Sequence, residues 1–402
     1  MTRRNTALIV IGGGYAGVMA ANRLTQRDDV DVTLFNARPA FVERLRLHQL
    51  VCGSHDAVVD YRALLADRVR LVVDTVTRID VAGRRVTPAS GPAVGYDHLI
   101  YAVGSAGGPL GVPGAAEFAY PIDRLEEARR LRRVLDSAPA TAAVTVVGGG
   151  PTGIETAAEL AEQGRTVTLA SGGVLGPYLH PRARRSVARR LTQLGVTVLG
   201  GPGTKVTAVT RDTVRLADGR SLPSDVTIWT AGFGVPDLAA RSGLTTDAVG
   251  RLITDETLTS VDDTRIVAAG DCAAPSDMPF RMSCYAAQRQ GAHAADTVLG
   301  RIAGDEPAPI SLGFAGMCIS LGRHAATAQI AARNDTAKVL YIGGRLGAKI
   351  KEAGSSGVVK ELTREAREPG RFSWRLKDDE RQRRLQARPG REPAPTSAAP
   401  GG

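Results

Sequence analysis

The chain has 402 residues and carries 51 Lys and Arg against 41 Asp and Glu, a net charge of +10; it is 43% hydrophobic and only 4% aromatic. That length exceeds the usual size of one core and implies two or three domains, while the scarcity of aromatic rings argues against stacking platforms for nucleic acid. No run of about 18 uninterrupted apolar residues is present, so no spanning helix is expected, and the polar stretch Met1–Thr6 lacks the apolar run of a signal peptide.

In chain order, residues 7–36 read as a βαβ unit: a strand over 7–12, a helix over about 15–27 and a strand over 30–36. The run Ala7-Leu8-Ile9-Val10-Ile11 opens into Gly12-Gly13-Gly14-Tyr15-Ala16-Gly17, a G-x-G-x-x-G turn. Val69–Val76 and Arg85–Thr87 read as short strands, and Tyr96–Gly104 as a strand ending on Gly104. The Gly- and Pro-rich stretch 106–114 is a crossing loop, and Ile122–Leu135 has helical spacing. Residues 143–171 repeat the first unit, with Gly148-Gly149-Gly150-Pro151-Thr152-Gly153 after Ala143-Val144-Thr145-Val146-Val147. Strand–Gly endings recur at Gly232 and at Gly270-Asp271, and a helix follows over about Ser283–Leu299. Residues 310–375 read as an α+β module; from Lys377 onward charged residues and then Pro, Ala, Ser and Gly dominate, so the tail is expected to be disordered.

The glycine turns carry the chemistry. The first glycine of each permits the tight turn, the second lets backbone approach a pyrophosphate, and the third packs helix on strand. The helix N-terminus behind the turn offers free N–H groups and the positive end of its dipole. Two such turns, each in strand–turn–helix context, imply two dinucleotides, the layout of a flavoprotein that passes hydride between a nicotinamide and a flavin. Cys52, Cys272, Cys284 and Cys318 are scattered without a C-x-x-C pair, which fits buried thiols in a reducing cytoplasm. The Arg-borne positive charge reads either as genome composition or as attraction to anionic cofactors or an anionic membrane face. The expected location is therefore cytoplasmic, with peripheral membrane contact left open.

With Gly12–Gly17, Gly148–Glu155, Trp229-Thr230-Ala231-Gly232 and Ala269-Gly270-Asp271-Cys272 in place, the chain resembles the two-dinucleotide-binding-domain flavoproteins of the pyridine nucleotide-disulfide oxidoreductase superfamily. Over about residues 6–345 it is most similar to the type II NADH dehydrogenase branch, which includes the apoptosis-inducing-factor-like quinone reductases. The resemblance implies an α/β fold with two Rossmann-like, glutathione-reductase-like domains. FAD would be held by 1–115 and 246–310 and NAD(P)H by 116–245, followed by a C-terminal module over 311–376 and a tail over 377–402. It implies non-covalent FAD and a quinone-like electron acceptor.

Residue by residue, it places the FAD on Gly12, Gly14, Ala16 and Gly17, with Val76 against the adenine, Gly104 at a strand tip and Asp271 on the ribityl chain. Asn36 stands where an acidic residue usually takes the ribose hydroxyls. Gly148, Gly150, Pro151, Thr152, Gly153 and Gly232 would hold the nicotinamide dinucleotide, with Glu155 near nicotinamide and flavin. At the end of that unit's second strand stands Ser171 and no carboxylate, so NADH and NADPH both stay open, with Arg182, Arg184 or Arg185 as phosphate partners or as a solvated helix face. Where quinone-using relatives carry an Ala-Gln pair and a second Gln, this chain has Tyr285 and Arg289, with Gln288 and Gln290 shifted. Tyr285 would stack on a quinone ring and Arg289 polarise its carbonyl. Glu43, Arg44 and His48 lie where the family chain passes the flavin. A dithiol relay is excluded there because only Cys52 is present, and a lone His is more often structural than a proton carrier.

Overall fold

The computed structural model of the chain describes residues 5–108 and 110–387. The first glycine turn joins β1 (Thr6–Ile11) to α1 (Tyr15–Leu24), followed by β2 (Val30–Asn36), α2 (Leu47–Cys52), β3 (Val69–Val73) and β4 (His98–Tyr101). The second set runs β5 (Ala119–Pro121), α3 (Leu125–Ser137), β6 (Ala143–Val147), α4 (Pro151–Glu162), β7 (Thr166–Ala170), α5 (Pro181–Gln193), β8 (Thr197–Leu199) and β9 (Val226–Trp229). The chain then returns through β10 (Ile266–Ala268) and α6 (Cys284–Ala303), and closes with β11 (Gly316–Ser320), β12 (Ala326–Ala331), β13 (Ala337–Ile342), α7 (Gly344–Arg367) and α8 (Arg381–Gln386).

Two five-stranded parallel sheets result, ordered β10-β4-β1-β2-β3 and β5-β9-β6-β7-β8. Their central strands are near-continuous Val, Ile and Leu runs, as sheets covered on both faces require. In the first unit α1 lies directly on α6. The approach is close because Gly291 has no side chain: a Cβ there would strike the Ala16 carbonyl. Ala16, 5% exposed, is therefore a packing residue of this contact.

The meander β11-β12-β13 is antiparallel and packs with α7. The basic stretch 345–367, which shows no apolar stripe in sequence, lies within the 24-residue helix Gly344–Arg367. Its buried positions are Gly347, Ser355, Leu362 and Glu365, small or polar apart from Leu362. Arg23 of α1 explains the polar burial, bonding Glu365 at 3.1 Å and Asp296 at 2.6 Å.

The expectation of disorder from Lys377 is corrected for residues 377–387. Arg381 is 4% exposed, paired with Glu256 at 2.7 Å and donating to the Met278 carbonyl at 2.8 Å. This long-range ion pair orders a segment too poor in apolar residues to order itself. The remainder of the expected tail, 388–402, lies outside the described residues.

Candidate functional site

Both glycine turns have the same division of labour. Gly12 and Gly148 adopt φ of +101° and +122°, and a Cβ on either would meet the Ala102 carbonyl or the Thr230 hydroxyl. Gly17 and Gly153 lie against the Gly12 and Gly148 carbonyls. These four glycines serve the fold. Gly14 and Gly150, the N-cap positions of α1 and α4, differ: a Cβ on either would meet nothing within 4 Å. Their open side lies at the helix N-terminus, where phosphate oxygens bind, and the cradle fits a pyrophosphate.

Gly13 is a further constrained position that the sequence pattern did not single out. The Tyr61 hydroxyl donates to its carbonyl at 2.6 Å, and the Asn36 side-chain oxygen accepts from its N–H at 2.9 Å. The Asn36 amide donates to the Arg38 carbonyl at 2.8 Å. Asn36 therefore fastens the turn, and its oxygen retains one lone pair for a ribose hydroxyl.

A cleft of about 780 Å³ opens between the two parallel-sheet units. Of the expected residues it is lined by Pro151, Thr152 and Glu155 of α4, Gly232, and Asp271. Ser105, just after Gly104 (φ +71°), donates to Asp271 at 2.7 Å, and Arg44 donates to the Ser105 carbonyl at 2.8 Å. The N-terminus of α6, capped by the Ser283 hydroxyl accepting from Ala286 N–H at 3.2 Å, also faces the cleft.

Four expected residues stand outside this lining. Val76, 6% exposed, is buried in an apolar cluster with Ile9, Phe35 and Val86. The Ser171 hydroxyl is engaged by the Gly173 and Leu199 carbonyls, each at 3.0 Å. Tyr285 and Arg289 are absent from the lining, whereas Ser283, Cys284 and Ala287 of the same segment belong to it. On a helix, 284 and 287 share a face and 285 and 289 share the next one round. Tyr285 donates to the Gly313 carbonyl at 3.0 Å and packs on Phe314, and the Arg289 guanidinium lies 3.4 Å over the Tyr285 ring. The expected stacking and polarising roles of this pair are thus replaced by a structural cation–π contact. Gln290 is turned to the Gly270 N–H at 3.3 Å and Gln288 to the Val358 carbonyl at 2.7 Å.

The cleft floor holds a buried charge cluster. Glu155 bonds Lys351 at 2.8 Å and accepts from Ser320 N–H at 2.9 Å. The His48 ring lies between two carboxylates, Nδ1 3.7 Å from Glu155 and Nε2 3.6 Å from Glu159. Burial lowers the His48 pKa to about 4; Glu155 opposes this, and Lys351, Arg323 and Arg46 reinforce it. Burial alone would raise the Glu155 carboxyl, but Lys351 and His48 hold it below its usual value. Burial raises Glu159 despite the Ser54 hydrogen bond. Sequence reading missed Glu159 and Lys351. The i, i+4 spacing from Glu155 was the available signal for the first, and nothing local marks the second.

A histidine whose folded pKa lies below its unfolded value stabilises the fold above the unfolded pKa of about 6.5, and that contribution disappears as pH falls toward 4. The shift corresponds to roughly 3 kcal/mol. In His48→Asn the stability deficit relative to wild type is expected to narrow between pH 7 and pH 5, read from denaturant midpoints; a deficit that widens on acidification contradicts the assignment.

The family model for pyridine nucleotide-disulphide oxidoreductases matches residues 6–291. The chain belongs to this family. An NADH dehydrogenase-like protein of Mycobacterium tuberculosis (strain H37Rv) is 31% identical over 322 residues, 73% of this chain and 80% of the relative. The type II NADH:quinone oxidoreductase Ndh of the same organism is 29% identical over 376 residues, 81% of this chain and 80% of that one. Among solved structures, the sulfide:quinone oxidoreductase of Aquifex aeolicus superposes with a TM-score of 0.76 at 19% identity, covering 90% of this chain and 92% of that chain. NDH2 of Plasmodium falciparum in complex with NADH gives 0.74 at 16% identity, covering 92% and 99%. These two likenesses concern the fold. As a member of this flavoprotein family, the chain is an oxidoreductase that uses FAD and NAD(P)H.

Proposed function

We propose that the protein is an NAD(P)H dehydrogenase that delivers electrons from its flavin directly to a quinone or similar small acceptor, without a redox-active disulfide. The observation that carries this reading is the shared cleft. It brings the N-terminal turn of α4, the Asp271 strand tip and the N-terminus of α6 to one cavity, with the Glu155–Lys351 pair on its floor. Bound FAD would supply the redox chemistry, hydride acceptance from the nicotinamide and delivery of two electrons onward. The chain's part is placement and electrostatics. Gly14 and the N-terminus of α1 take the FAD pyrophosphate, with Asn36 available to a ribose hydroxyl. Gly150 and the N-terminus of α4 take the second pyrophosphate. Asp271, oriented by Ser105, receives a ribityl hydroxyl, and Lys351 keeps Glu155 ionised against its burial.

Steady-state turnover with a panel of soluble quinones, ferricyanide and oxygen tests this reading. A flavin that is reduced once by NAD(P)H and then stalls with every acceptor favours a nucleotide-sensing flavoprotein. The replacement of the expected amide pair by Tyr285 and Arg289 supports a second reading, a reductase of a partner protein or biosynthetic intermediate.

Direct transfer predicts that thiols are dispensable. Cys284 and Cys318 border the cleft, and burial raises both above the usual thiol value, while Cys272 is pushed up to about 12. Neutral thiols are poor nucleophiles. Cys284→Ala and Cys318→Ala should retain flavin reduction and reoxidation within about threefold, roughly 0.7 kcal/mol; abolished reoxidation in a folded, flavin-loaded variant contradicts direct transfer.

Nicotinamide choice should be weak. No carboxylate closes β7, Arg182 and Arg185 line a surface groove with Val339–Tyr341 of β13, and exposed Lys205 adjoins Gly172. The ratio of kcat/KM for NADH over NADPH is expected below about 100, roughly 2.7 kcal/mol; a larger ratio requires a discriminating group not yet identified.

No helix among the described residues is long and apolar enough to cross a membrane. Exposed Val339 and Leu340 beside Arg182, Arg185 and Arg189 supply an apolar and basic face suited to peripheral contact with anionic lipid.

A further inference from the structure

Reduction of a quinone by NAD(P)H has an unbalanced proton. The nicotinamide C–H bond breaks and supplies two electrons and one proton equivalent. Two O–H bonds form on the quinone, so the second proton comes from solution. The cleft floor is buried: Glu155 is 6% exposed and His48 3%. Solvent protons therefore need a route to it.

One file of side chains leads from the surface to the cleft. Exposed Ser54 donates its hydroxyl hydrogen bond to Glu159, whose side chain is 3% exposed. Glu159 faces His48 Nε2 at 3.6 Å, and His48 Nδ1 faces Glu155 at 3.7 Å. Glu155 bonds Lys351 at 2.8 Å, and His48, Glu155 and Lys351 all line the cleft. Ser320 steadies the middle of the file, its N–H on Glu155 at 2.9 Å and its hydroxyl 3.5 Å from His48 Nε2. The two imidazole separations lie just beyond hydrogen-bond range, closed by a small side-chain shift or one bridging water.

We propose that Ser54, Glu159 and His48 form a proton inlet that conducts solvent protons to Glu155 and Lys351 at the cleft, supplying the second proton of quinol formation. The inlet rests on the quinone reading above. Its chemistry balances at each step. Glu159 gives a proton to His48 Nε2, His48 gives its Nδ1 proton to Glu155, and Glu155 gives it to the quinone oxygen. Glu159 regains a proton through Ser54, and His48 is reset by a 180° flip of its ring, which exchanges the two nitrogens so that the N–H again faces Glu155 and the bare nitrogen again faces Glu159, with no net proton moved. The groups facing this file from each neighbouring element are compatible with it. Arg46 is matched by Glu43 and Glu352, Lys351 by Glu155, and Arg323 stands 4.0 Å from Glu159. Buried between carboxylates, His48 is neutral at pH 7 and Glu159 is biased toward its protonated form, the states a relay needs.

The test compares an acceptor that needs a proton with one that does not. Flavin-loaded wild type, Glu159→Gln, His48→Asn and His48→Gly are reduced anaerobically with NADH and mixed with a soluble quinone or with ferricyanide. Flavin reduction and ferricyanide reduction should stay within about twofold of wild type, while quinone reduction slows about tenfold or more at pH 8. Added imidazole should restore part of the loss in His48→Gly. Infrared spectra of the oxidised proteins across a pH titration give a readout independent of turnover: a carboxyl band titrating above the ordinary glutamate range that Glu159→Gln removes and Glu155→Gln keeps. Quinone and ferricyanide rates that fall together, or no such band, overturn the inlet. A wild type that reduces ferricyanide but no quinone overturns the quinone reading and the inlet with it. A wild type and variants that reduce quinone equally fast overturn the inlet alone.

Discussion

Gly14→Val should yield a folded, colourless protein. The substitution separates cofactor binding from folding because of where Gly14 stands. Its φ of −83° is ordinary for any residue, and a Cβ there meets no protein atom within 4 Å. Valine therefore costs the apo fold little, within about 1 kcal/mol for a residue change at a helix N-cap. The space it fills is the space a pyrophosphate takes at the N-terminus of α1. FAD affinity is expected to fall by about a thousandfold or more, roughly 4 kcal/mol. Flavin absorbance of the purified protein and the apo-protein melting temperature together check this. A yellow, fully loaded variant would remove the first turn from the FAD site. Gly12→Val and Gly17→Val should by contrast impair folding itself, since a Cβ at either meets backbone.

Gly150→Val should give the complementary result: a yellow protein that NAD(P)H no longer reduces. Gly150 has the same surroundings at the N-terminus of α4, with φ −78° and nothing within 4 Å of a Cβ. FAD content and dithionite reduction should match wild type. Reduction by NADH at fixed concentration should fall by about a hundredfold or more, roughly 2.7 kcal/mol. Equal loss of FAD from the Gly14 and Gly150 variants would mean that the two turns do not serve separate dinucleotides.

What the sequence disclosed and what it concealed divide along the range of the forces involved. The glycine turns were legible because their constraint is local backbone sterics, visible within six residues. Asp271 was legible as a polar residue just past a strand-ending glycine. The rotation of α6 was not: its start was readable at Ser283, but its face toward the cleft is fixed by Gly291 against Ala16, far apart in sequence. That register turns Cys284 and Ala287 inward and Tyr285 and Arg289 toward Phe314. Lys351 was concealed for a related reason. It belongs to a helix whose buried positions are Gly347, Ser355, Glu365 and a single Leu362, so hydrophobic periodicity gives no signal. The order of residues 377–387 rests on long-range polar contacts, Arg381 with Glu256 and the Met278 carbonyl and the Asp378 N–H with the Ser311 hydroxyl, that no window of local composition contains.

In the function proposed above, electrons pass directly from NAD(P)H through the flavin to a small acceptor at the shared cleft. Anaerobic stopped-flow spectroscopy of the flavin in two mixes tests it most directly, first with one equivalent of NADH and then with a soluble quinone. Direct transfer gives complete bleaching in the first mix and full recovery of the oxidised spectrum in the second, in wild type and in the fourfold Cys52, Cys272, Cys284 and Cys318 replacement alike. A flavin that bleaches but is not reoxidised by quinone, or is reoxidised only when the cysteines are present, would contradict it.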